Sequence, residues 1–146
     1  MNWFQEKLSA VPKAPLLVLI VFLFLLPYIA FSQAGSSKII IAHTDPTAFD
    51  DALTSLKDNS LPIDTFSTKD GRINLGELIA ESSQSRIYVT ILVTEKDITV
   101  YGKFMNMYGD WFTLIYDRSM YIEWKEMNRV ADLISLAVGG KKNFGK

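Results

Sequence analysis

The stretch RIYVTILVTEKDITVYGKFMNMYGDWFTLIYD, residues 86–117, carries the strongest β signal in the chain. Branched and aromatic residues alternate with polar ones in three runs, 86–94, 97–108 and 111–117. Glu95-Lys96 and Gly109-Asp110 separate the runs, which predicts a three-stranded antiparallel meander. Strand alternation puts Ile87, Val89, Ile91 and Val93 on one face with Ile98, Val100 and Phe104. The opposite face takes Tyr88, Thr90, Leu92 and Thr94, then Thr99, Tyr101, Lys103 and Met105. The third run is apolar at both parities, with Trp111, Thr113 and Ile115 set against Phe112, Leu114 and Tyr116. A face left to water would not hold so many large side chains. A helix of this chain or a docked partner is therefore expected to cover it. If a partner does, Tyr88, Leu92, Tyr101, Met105, Trp111 and Ile115 form the candidate interaction surface, since Tyr and Trp are frequent interface anchors.

Working outward, SMYIEWKEMNRVADLISLAVGG (119–140) reads as a helix. Its stripe is Met120, Trp124, Met127, Ala131, Ile134 and Val138, and Gly139-Gly140 stops it. KIIIAH (38–43) reads as a buried strand. TDPTAFDDALTSLKDN (44–59) reads as a helix with Asp45 as N-cap, Pro46 at its first position, and Phe49, Ala52, Leu53 and Leu56 on one side. LPIDTF (61–66) suggests a short strand and TKDGR (68–72) a turn. NLGELIAESS (74–83) reads as a helix, because Asn74 and Glu77 have capping-box spacing. The predicted order is β-α-β-α-β-β-β-α, an α+β sheet with helices packed on it. In element order alone, residues 38–138 resemble a thioredoxin-like core, and layered sensor-type folds fit the order equally well. Where the thioredoxin-like family keeps redox cysteines this chain has HTDPTAF, and no proline precedes RIYVTI, so the resemblance implies a fold without the redox chemistry.

The N-terminal region sets the location. No charge occurs between Lys13 and Lys38, and Ala14 to Phe31 is almost continuously apolar. As a helix those residues would extend about 27 Å, enough for a bilayer core. Residues 14–33 are thus expected to form a transmembrane helix, with Leu16, Phe22 and Leu26 in the lipid and Trp3 in an interfacial lead. A cleaved signal peptide is the competing reading: Lys7 and Lys13 precede the apolar run, and Ser32 and Ala34 fit a cut before Gly35. The run continues past Pro27, which favours retention. Either way the basic residues stay inside. The expected layout is a cytoplasmic lead (1–13), the span (14–33), a linker (34–37), an extracytoplasmic domain (38–140), periplasmic in a bacterium, and a basic tail (141–146).

Composition narrows the function. The chain has no cysteine and a net charge of −1, which excludes disulfides and thiol catalysis and gives no nucleic-acid footprint. His43, the only histidine, has Asp45, Asp50 and Asp51 nearby in sequence, too few convergent ligands for a metal centre. No nucleophile-elbow, phosphate-loop or metalloprotease motif occurs, so neither catalysis nor a metal or cofactor is expected. The favoured expectation is a non-catalytic, single-pass accessory or assembly subunit, in contact with membrane lipid and with protein partners in a larger membrane complex. A holin-like permeabilising protein and a secreted binding domain are the alternatives.

Overall fold

A computed structural model describes residues 35–117 and 120–146; the expected span, with Trp3, Leu16, Phe22 and Leu26, lies outside the described residues. The elements are β1 (Lys38–Ala42), α1 (Ala48–Asp58), β2 (Ile63–Ser67), β3 (Arg72–Leu75), β4 (Leu78–Ala80), β5 (Ser85–Val93), β6 (Asp97–Met105), β7 (Trp111–Thr113), α2 (Tyr121–Val138) and β8 (Lys141–Gly145). They form an α+β domain with one antiparallel sheet and two helices.

The hairpin of β5 and β6 is the spine of the sheet. Its strands pair from Arg86↔Met105 to Val93↔Ile98, and Thr94 and Asp97 close the tight turn between them. Each spine strand is longer than its neighbours and carries two of them end to end. Along β5, Leu78–Ala80 pairs with Ser85–Ile87 and Arg72–Asn74 with Thr90–Leu92. Along β6, Lys38–Ala42 pairs with Asp97–Tyr101 and Trp111–Thr113 with Lys103–Met105. β2 lies outside β3, and β8 lies outside β1.

One parity of this sheet builds the core. Ile39, Ile41, Ile73, Ile87, Ile91, Ile98 and Val100 are completely buried. Both helices lie on that side. α2 contributes Trp124, Met127, Val130, Ala131, Ile134 and Val138, and Met127 sits over Gly102 of β6. α1 adds Ala48, Ala52, Leu53 and Leu56 and packs on α2, where the Ser55 hydroxyl donates to the Leu133 carbonyl. The inward faces predicted for the meander and for both helices are those observed.

Several expectations are corrected. Residues 74–83 do not form a helix; they end β3, form β4 and turn into β5. Leu75, Leu78 and Ala80 are buried with Ile79 exposed between the last two, an alternation that fits a half-buried strand. The observed order is therefore not the one on which the thioredoxin-like resemblance rested. The second run ends at Met105, where Asn106–Asp110 close a loop, and the last strand covers only 111–113, because β1 takes the β6 edge from Tyr101 onward and the Tyr116 N–H donates to the Ser36 carbonyl instead. α1 begins at Ala48 with Thr47 as N-cap, and Asp45, three residues before the helix, accepts from the Thr47 N–H with its carboxylate.

The basic tail belongs to the sheet. Lys141–Gly145 pairs with Lys38–Ala42 along the whole of β1. Lys142 ties the strand to α2 through an ion pair with Asp132 and a hydrogen bond to Asn128. Phe144 packs its ring 6.4 Å from that of Trp124.

Two outcomes follow. Deleting residues 141–146 bares the edge of β1 and part of Trp124, and a loss of about 2–3 kcal/mol should lower the melting temperature by roughly 10 °C; an unchanged melt would contradict the pairing. Gly71, at φ +60, would bring a Cβ to 2.1 Å from the Val93 carbonyl oxygen, and that residue's N–H donates to the Gly71 carbonyl at 2.7 Å. Gly71→Ala should therefore destabilise the domain by about 2 kcal/mol or more in a denaturant titration.

Candidate functional site

The second face of the sheet has no described helix over it. It carries Thr65, Asn74, Tyr88, Thr90, Leu92, Thr99, Tyr101, Lys103, Met105 and Trp111, placed there by the registers of β2, β3, β5, β6 and β7. Self-covering by a helix of the described chain is thus overturned: α1 and α2 are both spent on the inner face.

The face divides into a polar half and an aromatic half. Across β2, β3 and β5, the Asn74 amide donates to Thr65 Oγ1 at 2.9 Å, and the Thr90 hydroxyl donates to Asn74 Oδ1 at 3.1 Å. Those groups satisfy one another and make a flat, wettable strip. Towards β7 the chemistry changes. The Tyr88 and Trp111 rings meet at 5.2 Å between centroids, and Lys103 Nζ stands 4.3 Å above the indole. This cation–π contact holds a charge over an aromatic surface that is still half exposed, at 50% for Trp111. The Tyr88 hydroxyl donates to Glu77 Oε2 at 2.9 Å, and Arg86 lies 3.6 Å from the same oxygen.

Five of the six candidate interaction residues share this face. Tyr88, Leu92, Tyr101 and Met105 are half-buried and Trp111 is exposed. Ile115 lies past the end of β7, half-buried between Leu114, which is completely buried, and Tyr116, whose ring meets Trp124 at 5.6 Å. Two contributors, Lys103 and Glu77, were not among the candidates. Glu77 was hidden because Asn74 and Glu77 imitate a capping box; both instead serve this face, from β3 and from the link to β4.

His43 and its acids do not converge. Its Nδ1 lies 3.1 Å from the Asp45 carbonyl oxygen and its Nε2 3.0 Å from the Thr94 carbonyl oxygen, both main-chain atoms. The ring bridges the end of β1 to the β5–β6 turn. The Asp45 carboxylate faces the Thr47 hydroxyl and N–H, and those donors hold its pKa below the ordinary value. Among the described residues no group of three or more His, Asp or Glu is placed to hold a metal ion, and no helix is long and apolar enough to cross a membrane.

Neither known family models nor curated proteins match this chain.

The Glu77 carboxylate, by accepting a hydrogen bond from the neutral phenol, raises the pKa of Tyr88 above the ordinary tyrosine value. A raised value means that this bond stabilises the fold fully below the ordinary tyrosine range, and that its contribution is lost as pH rises through the raised value. Glu77→Gln should move the Tyr88 ionisation back down, as read from the Cζ carbon shift in an alkaline NMR titration; no movement would show that the bond is not formed in solution.

Proposed function

We propose that the protein is a non-catalytic, single-pass membrane-anchored accessory subunit that presents its α+β domain outside the cytoplasm to a larger membrane complex. The observation that carries this reading is the open second face. A domain that packs both helices on one side leaves its Tyr, Trp and Leu side chains beside water on the other. Retaining them favours a use in recognition, and the Tyr88–Trp111–Lys103 cluster offers the aromatic and cationic groups that interfaces favour. The Thr65–Asn74–Thr90 strip next to it would form a polar margin of the kind that surrounds an interface core. The apolar run of residues 14–31 supports the anchor, and the lysines before it support the orientation.

The test replaces two anchors that no described helix covers. Truncating interface anchors costs about 2 kcal/mol or more each, so losing both weakens association by about a thousandfold. The same change opens no core cavity. Tagged protein purified from its own membranes in mild detergent should bring down stoichiometric protein partners, and Tyr101→Ser with Trp111→Ser should lose them while melting within a few degrees of the parent. Elution of the unaltered chain alone, or partners kept by the double variant, would contradict the reading.

A further inference from the structure

The two ends of the sheet differ sharply in chemistry. At one end the β5–β6 turn reads Thr94-Glu95-Lys96-Asp97, and the loop after α2 leads to Lys141 and Lys142. At the other end the exposed large apolar side chains collect. Met107, Tyr108, Trp111, Phe112, Tyr121 and Ile122 are 38–81% exposed there. Ile79 joins them at 61%, paired in register with Arg86 and so level with Met105 and Trp111. The start of α2 belongs to this end because the Ser85 hydroxyl, at the first residue of β5, donates to Glu123 at 2.7 Å. Of the nine exposed large hydrophobics among the described residues, only Phe66 and Leu136 lie elsewhere.

The loop at this end is fixed rather than loose. Asn106 Oδ1 accepts from the N–H groups of Tyr108 and Asp110 at 3.0 and 2.9 Å, and Gly109 takes φ +90 to close the turn. Those bonds commit the backbone while leaving Met107 and Tyr108 outermost, at 67% and 81% exposure. Beside the loop, an open depression of about 460 Å³ is bordered by Gln84, Arg86, Met105 and Tyr108.

The chain joins the domain at this same end. The Gly35 N–H donates to the Tyr116 carbonyl at 3.0 Å, and the Tyr116 N–H donates to Ser36. Upstream the apolar run reaches Phe31, four Cα–Cα steps before Gly35. Fully extended they reach at most about 14 Å. A headgroup layer takes about 5–8 Å of that, leaving less than about 10 Å between the surface of a bilayer that holds the run and Gly35. Aromatic side chains favour the headgroup level, where an apolar body and a polar edge are both satisfied.

We infer that this end of the domain is a second membrane contact: Met107, Tyr108, Tyr121, Ile122 and the exposed edges of Trp111 and Phe112 rest in the headgroup layer. The inference rests on the retained anchor of the proposed function, but it needs no protein partner. It leaves most of the open face, from β6 across to β2, free of lipid.

The absence of cysteine allows a direct test. Full-length Tyr108→Cys and Glu95→Cys, each carrying an environment-sensitive dye, are reconstituted in phosphatidylcholine–phosphatidylglycerol vesicles. The dye at 108 should shift to the blue and be quenched about twofold or more by lipids with spin-labelled acyl chains, as expected for a group at the interface; the dye at 95 should show neither change. Met107→Cys repeats the reading if the first variant fails to fold. A water-like signal at 108 overturns the inference. So does a blue shift without lipid quenching, which would place protein over the loop, or a chain that washes off the vesicles. Because the vesicles hold no partner, the result is independent of the co-purification experiment.

Discussion

Everything in the domain is registered to the ladder between β5 and β6. Among the described strands these two alone are long enough to seat two neighbours end to end, so the hairpin fixes where β1, β3, β4 and β7 lie. Its alternation also decides the two faces. A slip of one residue would move Ile87, Val89 and Ile91 outward and Tyr88, Thr90 and Leu92 inward, exchanging a dry face for a hydroxyl-rich one. The Glu95–Lys96 turn prevents the slip, closed by the Thr94 N–H and hydroxyl donating to the Asp97 carbonyl at 2.8 and 3.0 Å. Burial of one parity then gives α1 and α2 a single place to pack.

From that constraint the functional surfaces follow by subtraction. The helices use the inner face and β8 covers the outer edge of β1. What remains is an outer face with an aromatic corner and an end rim of apolar side chains, meeting at Trp111. The outer face suits recognition because its polar groups are already mutually satisfied around the aromatic cluster. The end rim, under the proposed anchor, suits lipid because its apolar side chains are the outermost groups of that end. These two surfaces are the basis for reading the protein as an anchored presenter.

The parts legible in the sequence were those with a strong period. Ile87 to Val93 and Ile98 to Phe104 announce the spine, and the Trp124–Met127–Ala131–Ile134 stripe announces α2. Weak periods misled. Between Asn74 and Glu81 two very short strands flank a bend at Gly76, so no window is long enough to show alternation, and the capping-box spacing fills the gap. Lys141–Gly145 lacks β-branched residues altogether; it is a strand because Ile39 and Ile41 need an edge partner and Asp132 needs a cation. Parity alone places five of the six candidate residues on one face of the sheet. The end rim was missed, because Met107 and Tyr108 were read as the tail of a strand instead of the crown of a loop. Two large apolar residues immediately before a Gly-Asp turn were the available signal.

As the spine of the sheet, the β5–β6 hairpin should be the last unit to open. Native-state hydrogen exchange on the full chain in vesicles measures this directly, residue by residue. The backbone amides of β5 and β6 should exchange only through global unfolding, with β2, β4 and β7 opening at lower free energy because each is held on one side alone. If β5 and β6 exchange faster than β1 and β8, the spine is elsewhere, and the division of the sheet into a packed face and a presenting face loses its basis.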